Sequence, residues 1–287
     1  MSSHRARVAG RRARVALAVG LLTGGLAGCA GPTSDLPILT TAANGAAEQT
    51  PATVHKPEGP GPFPAVVIGL GPQSSGTPTR WAQELVARGY VVMIPDSFTT
   101  RGRASGVCTH ASPDRATLAY ARSLPYVDGH HVGLMGGSHG GTTTLRSMAA
   151  PESERDPLAR EKREGFAAAV ALYPSCRVPL GGWRADGTGA YRSVAPLLIL
   201  IGDADDWTPA EPCRKLAESA RAATPPVDIT VYLGAHHSFD RDRAVRYVAA
   251  RVNISAPGSR GATTGGHPRA WADSIRRVAA FFGQHLR

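Results

Sequence analysis

Gly136-Gly137-Ser138-His139-Gly140 is the stretch that decides the fold. It has the form G-x-S-x-G, in which a serine occupies a tight turn between a strand and a helix. The glycines serve a steric purpose, because neighbouring backbones can approach only where no Cβ intervenes. Such a turn lifts the serine hydroxyl clear of the sheet, and the free N–H groups of the following helix point into the same space. A pattern this short is weak in a chain with 33 glycines. Its flanks give it weight: the apolar run 132–135 precedes it as a strand, and a helix-compatible stretch follows to about Ala150.

The same alternation extends on both sides. Apolar runs at 65–69, 90–94, 166–173, 194–201 and 227–233 read as strands buried between layers. Amphipathic stretches at 79–88, 113–124, 209–222 and 269–286 read as helices, the second opened by Ser112 as N-cap and Pro113 at the first helical position. Strands alternating with helices predict one α/β domain over 63–287, with a mostly parallel central sheet flanked by helices and no large lid domain. The charged stretch 151–165 reads as a solvated loop, and the glycine-rich stretch 177–193, with Trp183 and Tyr191, as a small flap.

Downstream of Ser138, two loops supply what a nucleophilic serine needs. After the strand at 194–201 comes Gly202-Asp203-Ala204-Asp205-Asp206-Trp207-Thr208-Pro209, and after the strand at 227–233 comes Gly234-Ala235-His236-His237-Ser238-Phe239. Serine, then acid, then histidine is the chain order expected of this kind of sheet. An aspartate in the first loop can fix the imidazole tautomer and support the imidazolium, and a histidine in the second can take the serine proton. Asp205 is the preferred acid with Asp206 as alternate, while Asp203 and Thr208 suit loop and helix capping. Either of the two histidines, His236 or His237, offers that base on residue type alone. The His139 N–H, just after the serine, is one expected oxyanion donor. Pro72 has no N–H, so the second donor falls to Gln73 or a neighbour of it. Phe98, Tyr173, Trp183, Trp207 and Phe239 are candidate cavity walls.

The N-terminal segment carries a different message. Arg5, Arg7, Arg11, Arg12 and Arg14 precede a short apolar run that ends in Leu26-Ala27-Gly28-Cys29. A basic head, a short apolar core and a small-residue site read as a signal peptide over 1–28. The last four residues resemble a lipobox, with Cys29 as the lipidated first residue of an exported, membrane-anchored envelope protein. Plain secretion and a retained helix are the alternatives, the latter disfavoured because the run falls short of the ~20 residues that span a bilayer. Residues 29–62, rich in Gly, Pro, Ala and Thr, read as a tether with two short edge strands. Losing the leader removes five arginines and halves the formal excess of +10. The remaining positive charge is scattered, without a basic run interleaved with aromatics, which argues against nucleic acid as a partner.

These stretches together resemble the dienelactone hydrolase family of α/β-hydrolases. The resemblance is carried by Gly61 through Val67, Pro95 through Phe98, Arg101-Gly102, Gly137 through Gly141, Gly202 through Pro209, and His237-Ser238-Phe239. It implies that Ser138, Asp205 and His237 are nucleophile, acid and base. Some members use cysteine where this chain has Ser138, so general serine-esterase chemistry on a small-molecule ester, thioester or lactone is the expectation. A peptidase of the same fold and a non-catalytic binding lipoprotein are the rival readings. No cofactor is implied, and no Cys-x-x-Cys or His-x-x-x-His pair offers a metal site. With Cys29 lipidated, Cys108, Cys176 and Cys213 remain, and Cys176–Cys213 is the expected disulfide of an exported chain.

Overall fold

The computed structural model describes residues 34–41, 47–70, 76–96, 113–151 and 164–287. The leader with Cys29, the segment holding Gln73, the loop with Phe98 and Cys108, and most of the charged stretch 151–165 lie outside the described residues.

Six parallel strands form the body of the sheet: β3 (Phe63–Gly69), β4 (Val91–Pro95), β5 (Val127–Gly137), β6 (Ala168–Leu172), β7 (Leu197–Gly202) and β8 (Val227–Tyr232). Two further strands, β1 (Ser34–Thr41) and β2 (Ala47–His55), add an antiparallel edge, giving the order β1-β2-β4-β3-β5-β6-β7-β8. Residues 34–41 and 47–55 are therefore part of the sheet, with Ala52 and Val54 buried. Every residue of β4, β6 and β7 is buried, as strands covered on both faces require. Strand β8 lies at the free edge and buries only its first and last residues.

Five described helices cover the sheet: α1 (Thr77–Val86), α2 (Pro113–Ser123), α3 (His139–Met148), α4 (Ala210–Ser219) and α5 (Pro268–His285). Their apolar residues recur at helical spacing, which sets one face of each on the sheet. In α5 that face is Ala270, Ser274, Val278, Phe281 and Phe282. The expected helices and strands all occur, with ends shifted by a few residues. No helix among the described residues is long and apolar enough to cross a membrane.

Two segments differ from the sequence reading. The stretch 177–193, read as a small flap, is pinned to the core by Leu180, Trp183 and Tyr191, while most of its other residues are exposed. Trp183 and Tyr191 are fully buried, the indole N–H of Trp183 donating to the Cys176 carbonyl at 2.9 Å and the Tyr191 hydroxyl to the Leu145 carbonyl at 2.8 Å. Aromatic burial, with each polar tip satisfied, holds this loop down. The second difference is an antiparallel ribbon of β9 (Arg246–Val252) and β10 (Arg260–Thr264), which follows the histidine loop. Its sequence gives no strand signal, because arginines interrupt β9 and most of that strand is exposed on both faces. Cys176 and Cys213 form the expected disulfide, joining the loop after β6 to α4.

Candidate active site

Strand β5 leads directly into α3 through Ser138, whose φ of 57° and ψ of −116° lie where non-glycine residues rarely go. The turn is held from both sides. The Ser138 N–H donates to the Leu172 carbonyl of β6 at 3.0 Å, and its carbonyl accepts from Thr142 N at 2.9 Å to start the helix. Gly140 lies against the Gly69 carbonyl so closely that a Cβ there would overlap the oxygen. His139 takes the first position of α3 and borders the same cavity as Ser138, the placement an oxyanion donor needs.

Three side chains from three loops meet in a line. Ser138 Oγ lies 2.9 Å from His237 Nε2, and His237 Nδ1 lies 2.8 Å from Asp205 Oδ2. The carboxylate is fixed in turn: Oδ1 accepts from the N–H groups of Trp207 at 2.9 Å and Thr208 at 2.8 Å. The Thr208 hydroxyl lies 2.9 Å from Asp205 Oδ2, 3.0 Å from His237 Nδ1 and 3.1 Å from the Tyr173 carbonyl. His237 and Asp205 are both buried, so their pairing is shielded from water and salt.

The competing residues of the sequence reading are accounted for elsewhere. Asp206 turns away from the imidazole and grips the ribbon, Oδ1 accepting from Thr263 N at 2.8 Å and Oδ2 from the Thr263 hydroxyl at 2.7 Å. Its carbonyl accepts from Asn253 Nδ2 at 2.9 Å. Asp203 accepts from Gly234 N at 2.6 Å, tying the acid loop to the histidine loop. His236 Nδ1 meets the Ala204 carbonyl at 2.8 Å, while Ser138 is met by His237.

The cavity above Ser138 holds about 480 Å³ and is lined partly by Tyr173 and Trp207. Both rings flank the imidazole, with centroids 4.8 and 4.7 Å from it. Trp183 and Phe239, also expected as walls, belong to the core: Phe239 packs edge-on against Tyr173 and Tyr232. Four contributors escaped the sequence reading. Thr208 was assigned only to capping, and Asp240, Arg241 and Arg251 border the cavity from the histidine loop and the ribbon. Burial, followed by the charges of Arg241 and Arg246, lowers the Arg251 pKa, and its Nε is buried without a hydrogen-bond partner. Burial and then the neighbouring Asp240 push the Tyr173 hydroxyl well up. Only an Arg-rich sequence from 241 to 251 hinted at the cationic rim.

The sequence model of the dienelactone hydrolase family matches residues 50–286. Among solved structures, a Klebsiella pneumoniae protein assigned as a dienelactone hydrolase superposes with a TM-score of 0.58 at 20% identity, over 88% of this chain and 100% of that one. Thermogutta terrifontis esterase 2 phosphorylated by paraoxon gives 0.58 at 18% identity, over 85% and 91%. Porphyromonas gingivalis dipeptidyl peptidase 4 gives 0.59 at 22% identity, over 90% of this chain but 36% of that one. No curated protein matches significantly. At these identities the superpositions establish the shared fold.

The division of labour between adjacent aspartates is open to test. Asp206→Ala removes two hydrogen bonds donated by the Thr263 N–H and hydroxyl to the carboxylate, each worth about 1.5–3 kcal/mol at most. Hydrogen exchange at the Thr263 amide should speed up by roughly tenfold or more. Exchange at Trp207 and Thr208, whose amides face Asp205, should stay unchanged.

Proposed function

Since the chain belongs to the dienelactone hydrolase family, we propose that it is a serine hydrolase that cleaves carboxylic esters through an acyl-enzyme. The observation that carries this reading is the continuous chain Ser138–His237–Asp205, at 2.9 and 2.8 Å. Ser138 Oγ attacks the ester carbonyl as His237 Nε2 takes its proton. The imidazolium, held by Asp205, returns that proton to the leaving alkoxide. Water then enters, His237 takes a proton from it, and the acid product leaves with Ser138 restored. The His139 N–H serves the oxyanion, with the second donor assigned to Gln73; each such donor is worth about 2.7–4 kcal/mol in the transition state.

The cavity also favours a charge on the substrate. Arg251 stands 5.2 Å from the Trp207 ring centroid, beside the imidazole, and Arg241 borders the same space. Cations that repel one another in a partly dry site are relieved by an anion, so the preferred ester carries a carboxylate on the part not attacked.

The export reading stays with Cys29 as a lipidated residue. Strand β1 begins at Ser34 beside Val54, which pairs with Met93 of β4, level with Val67 in β3.

Three measurements test these assignments. Paraoxon should phosphorylate the native chain with release of one equivalent of nitrophenolate, and peptide mass mapping should place the adduct on Ser138. Ser138→Ala should take no label and lose at least ~10⁴-fold in ester turnover, in line with nucleophile removal elsewhere. A labelled native protein with the adduct on another residue would sink the nucleophile assignment. Arg251→Gln should lower kcat/KM for a hemisuccinate ester by roughly tenfold while leaving the matching neutral butyrate ester within twofold, the worth of one charge-assisted contact. Cells fed a radiolabelled fatty acid should label the chain, and Cys29→Ser should abolish the label.

A further inference from the structure

Asp240 is a second carboxylate at this site, and the reaction described above makes no use of it. It lies three residues beyond His237, borders the cavity and is 0% exposed. Both of its oxygens accept hydrogen bonds, Oδ2 from the indole N–H of Trp81 in α1 at 2.9 Å and Oδ1 from the Tyr173 hydroxyl at 2.9 Å. Its carbonyl accepts from Arg80 Nη1 at 2.7 Å, and the Arg80 guanidinium covers Trp271 of α5, 4.3 Å from its centroid. The residue thus fastens the histidine loop to α1 and to the end of β6.

Tyr173 turns this anchorage towards the imidazole. Its ring meets His237 edge to face at 4.8 Å, and its carbonyl accepts from the Thr208 hydroxyl that also touches Asp205 and His237. The residue is held at a φ of 35°, and its hydroxyl fills the space a Cβ on Gly137 would take. Strain of this kind persists only where the surroundings over-determine it.

We propose that Asp240 is a positioning residue for His237, holding the ring through Tyr173 and supporting the imidazolium with a buried negative charge. The inference rests on the ester-hydrolase reading for its consequence in catalysis, though its physical content does not need turnover. Burial raises the Asp240 pKa, only partly countered by the hydrogen bonds from Trp81 and Tyr173 and by the charge of Arg241. A carboxyl whose pKa is higher folded than unfolded opposes folding once it ionises, so its charge is held at a cost to stability as pH rises. The charged and titratable groups around the pair are Arg80 of α1, Tyr173 beside β6, Arg241 on the same loop, Asp205 on the imidazole, and Arg251 across Trp207.

Asp240→Asn tests the charge with little change of shape. The amide oxygen can accept from Trp81 while its NH₂ donates to the Tyr173 hydroxyl. NMR titration of the His237 ring protons should show the midpoint about one pH unit lower, the scale of losing one buried charge several ångströms away. The acidic limb of the kcat/KM profile should move down by the same amount, and the melting temperature should not fall. Asp242→Asn removes the same charge from an exposed position two residues on and should leave the midpoint in place. Asp240→Ser, smaller and neutral, should give the same shift as asparagine if the latter folds poorly. An unmoved midpoint with a lowered melting temperature would overturn the proposal and make Asp240 a structural tie alone. Inactivity of the native chain on esters would instead count against the hydrolase reading, while the NMR midpoint would still decide the role of Asp240.

Discussion

The fold and the site both hang on the contact between Gly140 and the Gly69 carbonyl. At that point the first turn of α3 rests on the end of β3 with no side chain between them. The approach bends the chain sharply enough to put Ser138 at positive φ, a strain of about 1–3 kcal/mol that packing must supply. Part of that packing comes from β6, whose Leu172 carbonyl accepts the Ser138 N–H. The next residue, Tyr173, closes over Gly137 with its hydroxyl. Strand order matters here: β5 sits between β3 and β6, so the turn is braced from both sides. A serine at the sheet edge would lack one of the two braces.

Much of this could be read from residue order. G-x-S-x-G between an apolar run and a helix, followed by an acid loop and then a histidine loop, identifies three side chains, because the steric demand of the turn leaves few residue choices. What the residues could not show is which of two neighbours faces inward. Asp205 and Asp206, like His236 and His237, differ by one position and share one chemistry. Their assignment depends on loop geometry: two loop amides turn Asp205 towards the imidazole, whereas Thr263 draws Asp206 outward. The loop at 177–193 misled for a related reason. Its glycines suggest freedom, but Trp183 and Tyr191 bury enough apolar surface to fix it. Local composition weighs backbone entropy and omits tertiary burial.

The ribbon was illegible for a different reason. Strand signals in sequence come from burial on at least one face, and β9 offers little, with arginines at 246 and 251 and exposed Tyr247 and Val252. It is held by hydrogen bonds to a neighbouring loop more than by its own core. Asn253 reaches the Asp206 carbonyl, Thr263 holds the Asp206 carboxylate, and the Thr264 hydroxyl donates to the His237 carbonyl at 3.0 Å. Such contacts link distant segments and leave no periodic trace.

Two adjacent carboxylates on one loop therefore connect the catalytic side chains to the cavity wall. Asp205 fixes the imidazole, and Asp206 fixes β10, the strand paired with the one that brings Arg251 over Trp207. Because they share one backbone, a shift of the acid loop displaces the base and the cationic rim together. The cationic rim and the three residues that meet at Ser138 are thus tied to adjacent residues of one loop. Cavity shape and charge can vary along the ribbon with no change to the three residues that meet at the serine.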